Sequence, residues 1–113
     1  MPSDRSDAVL LSEVRESVSL IEGYVAGLTV DTFHASMQVR DAVCMRLIVV
    51  GEAANRLTQE TRDRMPDLNW RGMAGLRHLL AHDYGSASPS LLWSIVSANL
   101  PELVQALKQL PDD

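Results

Sequence analysis

The first long pattern in the chain is a stripe of apolar positions between residues 6 and 26. Its members recur at intervals of three, four, three and four residues: Leu11, Val14, Val18, Ile21 and Val25. A helix with 3.6 residues per turn places such positions on one side, so the pattern predicts an amphipathic helix that packs on a neighbour. Gly27 predicts the end of this helix, and Thr29 and Asp31 are candidate N-caps of the next one.

The second apolar stretch, from about residue 33 to residue 57, is apolar on more than one side. It therefore predicts a long helix at the centre of a bundle. Gly51 interrupts it, and because a glycine inside a helix costs about 1 kcal/mol relative to alanine, we expect it to allow close approach of another helix. Glu52 is interpreted first as a structural residue paired with Arg56, four residues on. A role in a functional site is the alternative.

The remaining pattern predicts three further helical segments. Residues 61–64 suit a short helix that Pro66 ends, and Asn69 is a candidate N-cap for a helix beginning near Trp70. Gly85 and Ser86 predict the end of that helix. Ser88 and Pro89 predict the start of the last helix, which Pro101 must kink or restart. No strand alternation is visible, so the sequence predicts an all-α fold, an antiparallel bundle of four or five helices.

Length and cysteine content add little to this picture. The 113 residues suit one domain, 1–113. Cys44 is the only cysteine, which excludes an intramolecular disulfide and fits a reducing compartment, and its apolar neighbours predict burial.

The charged N-terminal residues do not resemble a signal peptide, and no apolar run is long enough to span a membrane. We expect a cytoplasmic protein with no membrane partner.

The charge balance bears on the kind of partner. The formal net charge is −5, whereas proteins that bind nucleic acids are usually basic. However, residues 40–77 carry seven arginines and five acidic residues. These arginines could line a local groove for phosphates, and the alternative is that they are ordinary solvated residues on helix surfaces.

The chemistry is concentrated in residues 77–84. Arg77 presents a planar set of donors that suits phosphate, and His82 can give or take a proton near neutral pH. Together they could cleave a phosphodiester without a metal. On a regular helix Arg77 and His82 lie roughly 140° apart around the axis. Either the last turn is distorted, or two copies of the helix meet and share their residues across a two-fold axis. A purely structural alternative places His82 against the helix dipole.

Two histidines four residues apart also raise the question of a metal. His78 and His82 could both reach one ion, but a third ligand would be needed, and Asp83 points to another side of the helix. The sequence therefore favours a site without a metal or other cofactor.

The motif Arg-x4-His-x-Tyr, formed by Arg77, His82 and Tyr84, resembles the signature of HEPN-domain proteins of the HepT type. The resemblance covers about residues 8–108. Other matching positions are Gly51-Glu52-Ala53-Ala54, Pro66-Asp67-Leu68-Asn69-Trp70, Gly72-Met73, Trp93 and Leu100-Pro101. It implies a dimerising helical bundle that acts as a metal-independent endoribonuclease toxin. It also implies a partner, a minimal nucleotidyltransferase antitoxin that silences the toxin by transferring AMP to Tyr84.

The resemblance also implies a mechanism. The 2′-OH of the RNA attacks the adjacent phosphorus, His82 transfers protons, and Arg77 stabilises the charge on the phosphoryl oxygens. His78 and Asp83 would orient His82 or contact the ribose, and the substrate would be RNA, such as tRNA or mRNA, and not DNA. A competing hypothesis is a non-catalytic helical module that binds a nucleotide or the nucleotidyltransferase. A third is a dimeric scaffold in which Arg77 and His82 have no chemical role.

Overall fold

The computed structural model describes residues 6–82 and 89–110, except for the side chains of residues 81 and 82. Within these ranges the chain forms seven α-helices and one π-helical turn, and no strand is present. The helices are α1 Asp7–Val25, α2 Val30–Ala35, α3 Met37–Arg56, α4 Gln59–Asp63, α5 Trp70–His82, α6 Pro89–Ser94 and α7 Leu100–Lys108, and the π turn is Ile95–Asn99. The all-α prediction is confirmed, but the helices described outnumber the four or five expected.

The difference arises mainly where one predicted helix becomes two. The expected helix over residues 33–57 breaks at Ser36, whose hydroxyl accepts a hydrogen bond from the Val39 N–H and so caps α3. Upstream, α2 places Phe33 wholly inside the core, with its ring centroid 5.1 Å from that of Trp93. The break thus lets Phe33 pack beneath the last part of the chain while α3 takes its own direction.

Several predicted helix ends are confirmed. Thr29 caps α2 in a reciprocal arrangement with Thr32, and the Asn69 side chain accepts from the Gly72 N–H at 2.9 Å at the start of α5. The short helix α4 begins earlier than predicted because Thr58 caps it. Predictions that involve Gly85, Ser86 and Ser88 concern residues outside the described ranges.

The last helical region is divided near Pro101, as the sequence predicted. The π turn ends where the Leu100 N–H bonds to the Ile95 carbonyl, one residue farther back than in an α-helix. Pro101 follows in the first turn of α7, where a proline needs no hydrogen-bond partner for its nitrogen. The restart therefore combines a π turn with a proline.

Helix α3 lies at the centre, as predicted, and packs on both α1 and α5. Its buried residues are Val43, Cys44, Leu47, Val50, Gly51, Ala53 and Ala54. They join a core to which α1 contributes Leu10 and Ile21 and α5 contributes Leu80. Cys44 is buried as expected, and this burial, followed by the nearby Asp41 charge, raises the pKa of its thiol.

A hydrogen-bonded contact that the sequence did not predict joins the start of α1 to the start of α4. The Asp7 carboxylate accepts from the Thr58 backbone N–H at 3.2 Å, from the Thr58 hydroxyl at 2.5 Å and from the Thr61 hydroxyl. We call these three residues the Asp7 clasp. Burial raises the pKa of Asp7, but the hydrogen bonds from Thr58 and Thr61 outweigh it, so this pKa lies below its ordinary value of 3.8.

No helix among the described residues is long and apolar enough to cross a membrane.

Candidate functional site

The predicted site begins on the exposed side of α5. Leu80 of this helix is fully buried, whereas Arg77 and His78 lie on its exposed surface. Trp70 fixes the start of the helix, because its indole N–H donates to the Met65 carbonyl at 3.0 Å. Its ring is partly buried against the core. The helix thus offers one anchored face and one that presents Arg77 to solvent.

Gly51 brings α3 unusually close to this helix. A Cβ atom at position 51 would lie 2.9 Å from the Met73 carbonyl oxygen, 3.1 Å from the backbone nitrogen of Arg77 and 3.1 Å from the Leu76 Cβ. Two of these three neighbours are backbone atoms, which can move only if the helix moves. The prediction that Gly51 permits close helix approach is confirmed, and the helix that it faces is the one that carries Arg77.

This close approach places a carboxylate beside the predicted catalytic arginine. Glu52 forms an ion pair with Arg77 through its Oε2 and the guanidinium Nε. The Arg77 side chain is 64% exposed and that of Glu52 is 38% exposed. The ion pair described for Glu52 is therefore not the predicted one with Arg56, because a contact between helices replaces the contact along one helix.

The pair involves the Nε side of the guanidinium. An arginine side chain carries one N–H on Nε and four on its two terminal nitrogens, and the contact described with Glu52 is made by Nε. The terminal nitrogens form the fork that can bind two oxygens of a phosphate at once. Arg77 can thus be held by one edge while the other edge contacts a ligand.

A cleft of about 380 Å³ lies between α1 and α3 and reaches Glu52. Its charged lining residues are Glu13, Glu16, Glu52, Arg46 and Arg56. With three carboxylates and two guanidiniums, this cleft is not the basic groove that the arginine-rich segment could have formed. Arg46 extends instead toward the buried Ser17 hydroxyl, at 3.5 Å.

The structure describes only part of the predicted site. The backbone of His82 continues α5, but its side chain, together with Asp83 and Tyr84, lies outside the described residues. His78 is described as an exposed residue next to Arg77. Among the described side chains, no three His, Cys, Asp or Glu residues are grouped as metal ligands would be.

Sequence reasoning underestimated Glu52, although a signal was present. A glycine in the middle of the central helix indicates close contact with a second helix, and the next residue is then placed near the edge of that contact. An acidic residue at this position predicts a partner on the second helix, and Arg77 is the basic residue of α5 that meets it.

Comparison with known proteins gives a family match over most of the chain. The family model described as "Ribonuclease HepT-like" matches residues 14–110. No solved structure gives a significant match.

Three similar proteins come from archaea. The chain is 30% identical over 105 residues to a protein of Methanocaldococcus jannaschii named "Gamma-glutamylcyclotransferase and putative RNase", with 93% of the chain but only 47% of that protein covered. A second protein of this organism, named "Putative RNase", is 29% identical, with 89% of the chain and 93% of that protein covered. "Probable ribonuclease HepT" of Thermococcus cleftensis is 27% identical, with 94% and 96% covered. The chain thus spans about half of the first relative and nearly all of the other two.

Proposed function

Because the chain belongs to the HepT-like ribonuclease family, we propose that it is a metal-independent endoribonuclease toxin. The observation that carries this proposal is the exposed Arg77 guanidinium, paired with Glu52 and placed five residues before His82 on one helix. A guanidinium and an imidazole supply the two functions that cleavage of a phosphodiester needs, charge stabilisation and proton transfer.

In the proposed reaction, the 2′-oxygen of a ribose attacks the adjacent phosphorus while its proton is removed. The bond between phosphorus and the 5′-oxygen breaks, and that oxygen takes up a proton. The products are a 2′,3′-cyclic phosphate and a 5′-OH, with no net change in the number of protons. His82 acts as the base or the acid, and Arg77 neutralises charge on the non-bridging oxygens. His78 and Asp83 orient His82 or contact the ribose.

The geometry of α5 supports a site shared by two protomers. Residues 77 and 82 both lie in this continuous α-helix, so they are roughly 140° apart around its axis. A two-fold axis brings the same patch of two subunits together, so Arg77 of one protomer would complete a site with His82 of its partner. We therefore propose that the active form is a homodimer.

The shared site can be tested by mixing two inactive variants. Arg77→Ala and His82→Ala protomers, exchanged into mixed dimers, would leave each mixed dimer with one complete site. Since half of the dimers are then mixed, the activity should return to about a quarter of the wild-type value. If the mixture stays inactive although mixed dimers form, the two residues act within one protomer.

Regulation by a nucleotidyltransferase antitoxin is the second part of the proposal. The Tyr84 hydroxyl would lose its proton to water while its oxygen attacks the α-phosphorus of ATP, and pyrophosphate would leave, so that Tyr84 becomes AMPylated. The added nucleotide is bulky and negatively charged, which would exclude an RNA phosphate from Arg77. Co-expression with a candidate antitoxin should add AMP to the wild type but not to Tyr84→Phe, and mass spectrometry would detect the difference.

The competing function is a non-catalytic module that binds a nucleotide or the nucleotidyltransferase. The net charge of −5 and the mixed charges of the cleft between α1 and α3 favour this alternative over general RNA binding.

Expression of the wild type, Arg77→Ala and His82→Ala in a bacterial host separates the two functions. The ribonuclease should arrest growth and produce RNA fragments with cyclic-phosphate ends, and loss of Arg77 should lower the cleavage rate by about 100- to 1000-fold. Intact RNA and equal growth with all three folded proteins would overturn the enzymatic proposal in favour of the binding module.

A further inference from the structure

The ion pair between Glu52 and Arg77 joins two helices beside a close contact between them. Its two residues are separated by 25 positions, and Gly51, next to Glu52, meets the backbone of α5 at Met73 and Arg77. The carboxylate is therefore next to a position where the backbones of α3 and α5 are in close contact. An interaction built on such a contact has a well-defined geometry.

Stability does not account for the pair. Both side chains are substantially exposed, at 38% and 64%, and exposed ion pairs contribute little to folding because water screens the charges and two long side chains lose freedom. A glycine inside α3 also weakens the helix. The arrangement is better explained by what it does to the guanidinium.

We propose that Glu52 is a positioning residue for Arg77 in RNA cleavage. The Glu52 carboxylate would accept a hydrogen bond from the Nε–H and so fix the plane of the guanidinium. The two terminal nitrogens would then bind the non-bridging oxygens of the scissile phosphate. Arginine loses much rotamer freedom when it binds a ligand, and a side chain that is already held loses less at that moment. This inference rests on the proposed ribonuclease function.

The opposite role is a competitor. A carboxylate next to the guanidinium could occupy Arg77 and keep phosphate away, and its removal would then increase activity. The contact at Nε argues for positioning, because Nε lies outside the pair of terminal nitrogens that forms the phosphate-binding fork. The two roles predict changes of opposite sign in the same variant.

The test compares Glu52→Ala and Glu52→Gln with Glu16→Ala in the full-length protein. Glu16 is a matched control, since its carboxylate lines the same cleft but is not the partner of Arg77. An RNA oligonucleotide serves as the substrate for kcat and KM. We expect Glu52→Ala to lower kcat by about 10- to 100-fold, the range for a misplaced catalytic group, with a smaller change in KM. Glu52→Gln, which keeps an acceptor oxygen, should retain more activity, and Glu16→Ala should match the wild type.

Two further measurements separate positioning from a general structural effect. The double variant Glu52→Ala with Arg77→Ala should be no slower than Arg77→Ala alone, because residues that act as a unit are not additive. The NMR signal of the Arg77 Nε–H should exchange with water faster in Glu52→Ala than in the wild type, while the melting temperatures of the two proteins stay close.

The outcomes are distinct. Wild-type activity with an equally active Glu52→Ala overturns this inference and leaves the proposed function standing, and a more active Glu52→Ala assigns Glu52 the competitor role. A folded wild type that cleaves no RNA overturns the proposed function, and this inference with it.

Discussion

Asp7 and Glu52 are both carboxylates that link elements distant in the sequence, but their surroundings differ. Asp7 receives hydrogen bonds from Thr58 and Thr61, which are neutral groups, and its pKa is lowered as a result. Glu52 contacts a charged guanidinium that stays largely exposed. The Asp7 clasp consists of hydrogen bonds within the protein, whereas the Glu52–Arg77 pair leaves the Arg77 side chain 64% exposed. We infer that the first contact serves folding, and we propose that the second serves a ligand.

The largest effect should come from the core on which α5 rests. Leu80→Ala removes a fully buried side chain and should lower the free energy of unfolding by about 3 kcal/mol, as urea titration would measure. Leu79→Ala, at a half-buried neighbouring position, is the control and should cost less. Equal losses at both positions would contradict the distinction between an anchored and an exposed face of α5.

The next effect concerns the glycine between the helices. Gly51→Ala adds a Cβ against the α5 backbone, and such overpacking should outweigh the gain in helix propensity and destabilise the protein by about 1 to 2 kcal/mol. Gly23→Ala in α1 meets no atom within 4 Å and should instead stabilise the protein slightly. Thermal unfolding of both variants tests whether each substitution raises or lowers the stability. A stabilised Gly51→Ala would disprove the tight contact.

The Asp7 clasp should have a smaller effect, which depends on pH. Asp7→Asn should lower the stability by about 1 kcal/mol at pH 7. The pKa of Asp7 is lowered by folding from its ordinary value of 3.8. Its contribution to the free energy of unfolding is therefore fully present above that pH and is lost as the pH falls through the pKa of Asp7 in the folded protein. Unfolding measured from pH 7 to pH 2 should therefore show the wild type and Asp7→Asn converging in acid. The exposed Asp67→Asn is the control, and a constant difference at all pH values would contradict the clasp.

The smallest effect on stability should follow Glu52→Gln. Because the Glu52–Arg77 pair is exposed, its loss should change the free energy of unfolding by less than about 1 kcal/mol. Urea titration in low and high salt would measure this change. A loss as large as that of Leu80→Ala would mean that the pair holds the helices together, and the contrast with the Asp7 clasp would fail.

Local signals in the sequence predicted helix caps and close helix contacts well. They did not predict which residues meet across the fold. The caps at Thr29 and Asn69 and the role of Gly51 follow from rules that involve a few neighbouring residues, and the structure confirms them. The break at Ser36 was missed because the burial of Phe33 beneath Trp93 overrides a continuous helical pattern.

The candidate site shows the same limit. The partner of Glu52 was predicted four residues away on its own helix, whereas the tertiary contact lies on α5. The Asp7 clasp joins residues 51 and 54 positions apart, so no spacing rule could identify it. Arg77 was identified from its motif, and its exposure agrees with a ligand-binding role. The roles of His82, Asp83 and Tyr84 stay predictions.

The packing at Gly51 also restricts how this protein can evolve. Glycine is the only amino acid without a Cβ, so every missense mutation at codon 51 adds an atom beside the backbone of Met73 and Arg77. One such change would disturb both the packing of α3 on α5 and the setting of Arg77. Under the proposed toxin function, a mutation in this codon would be one way to weaken the protein while the Arg-x4-His-x-Tyr motif stays unaltered.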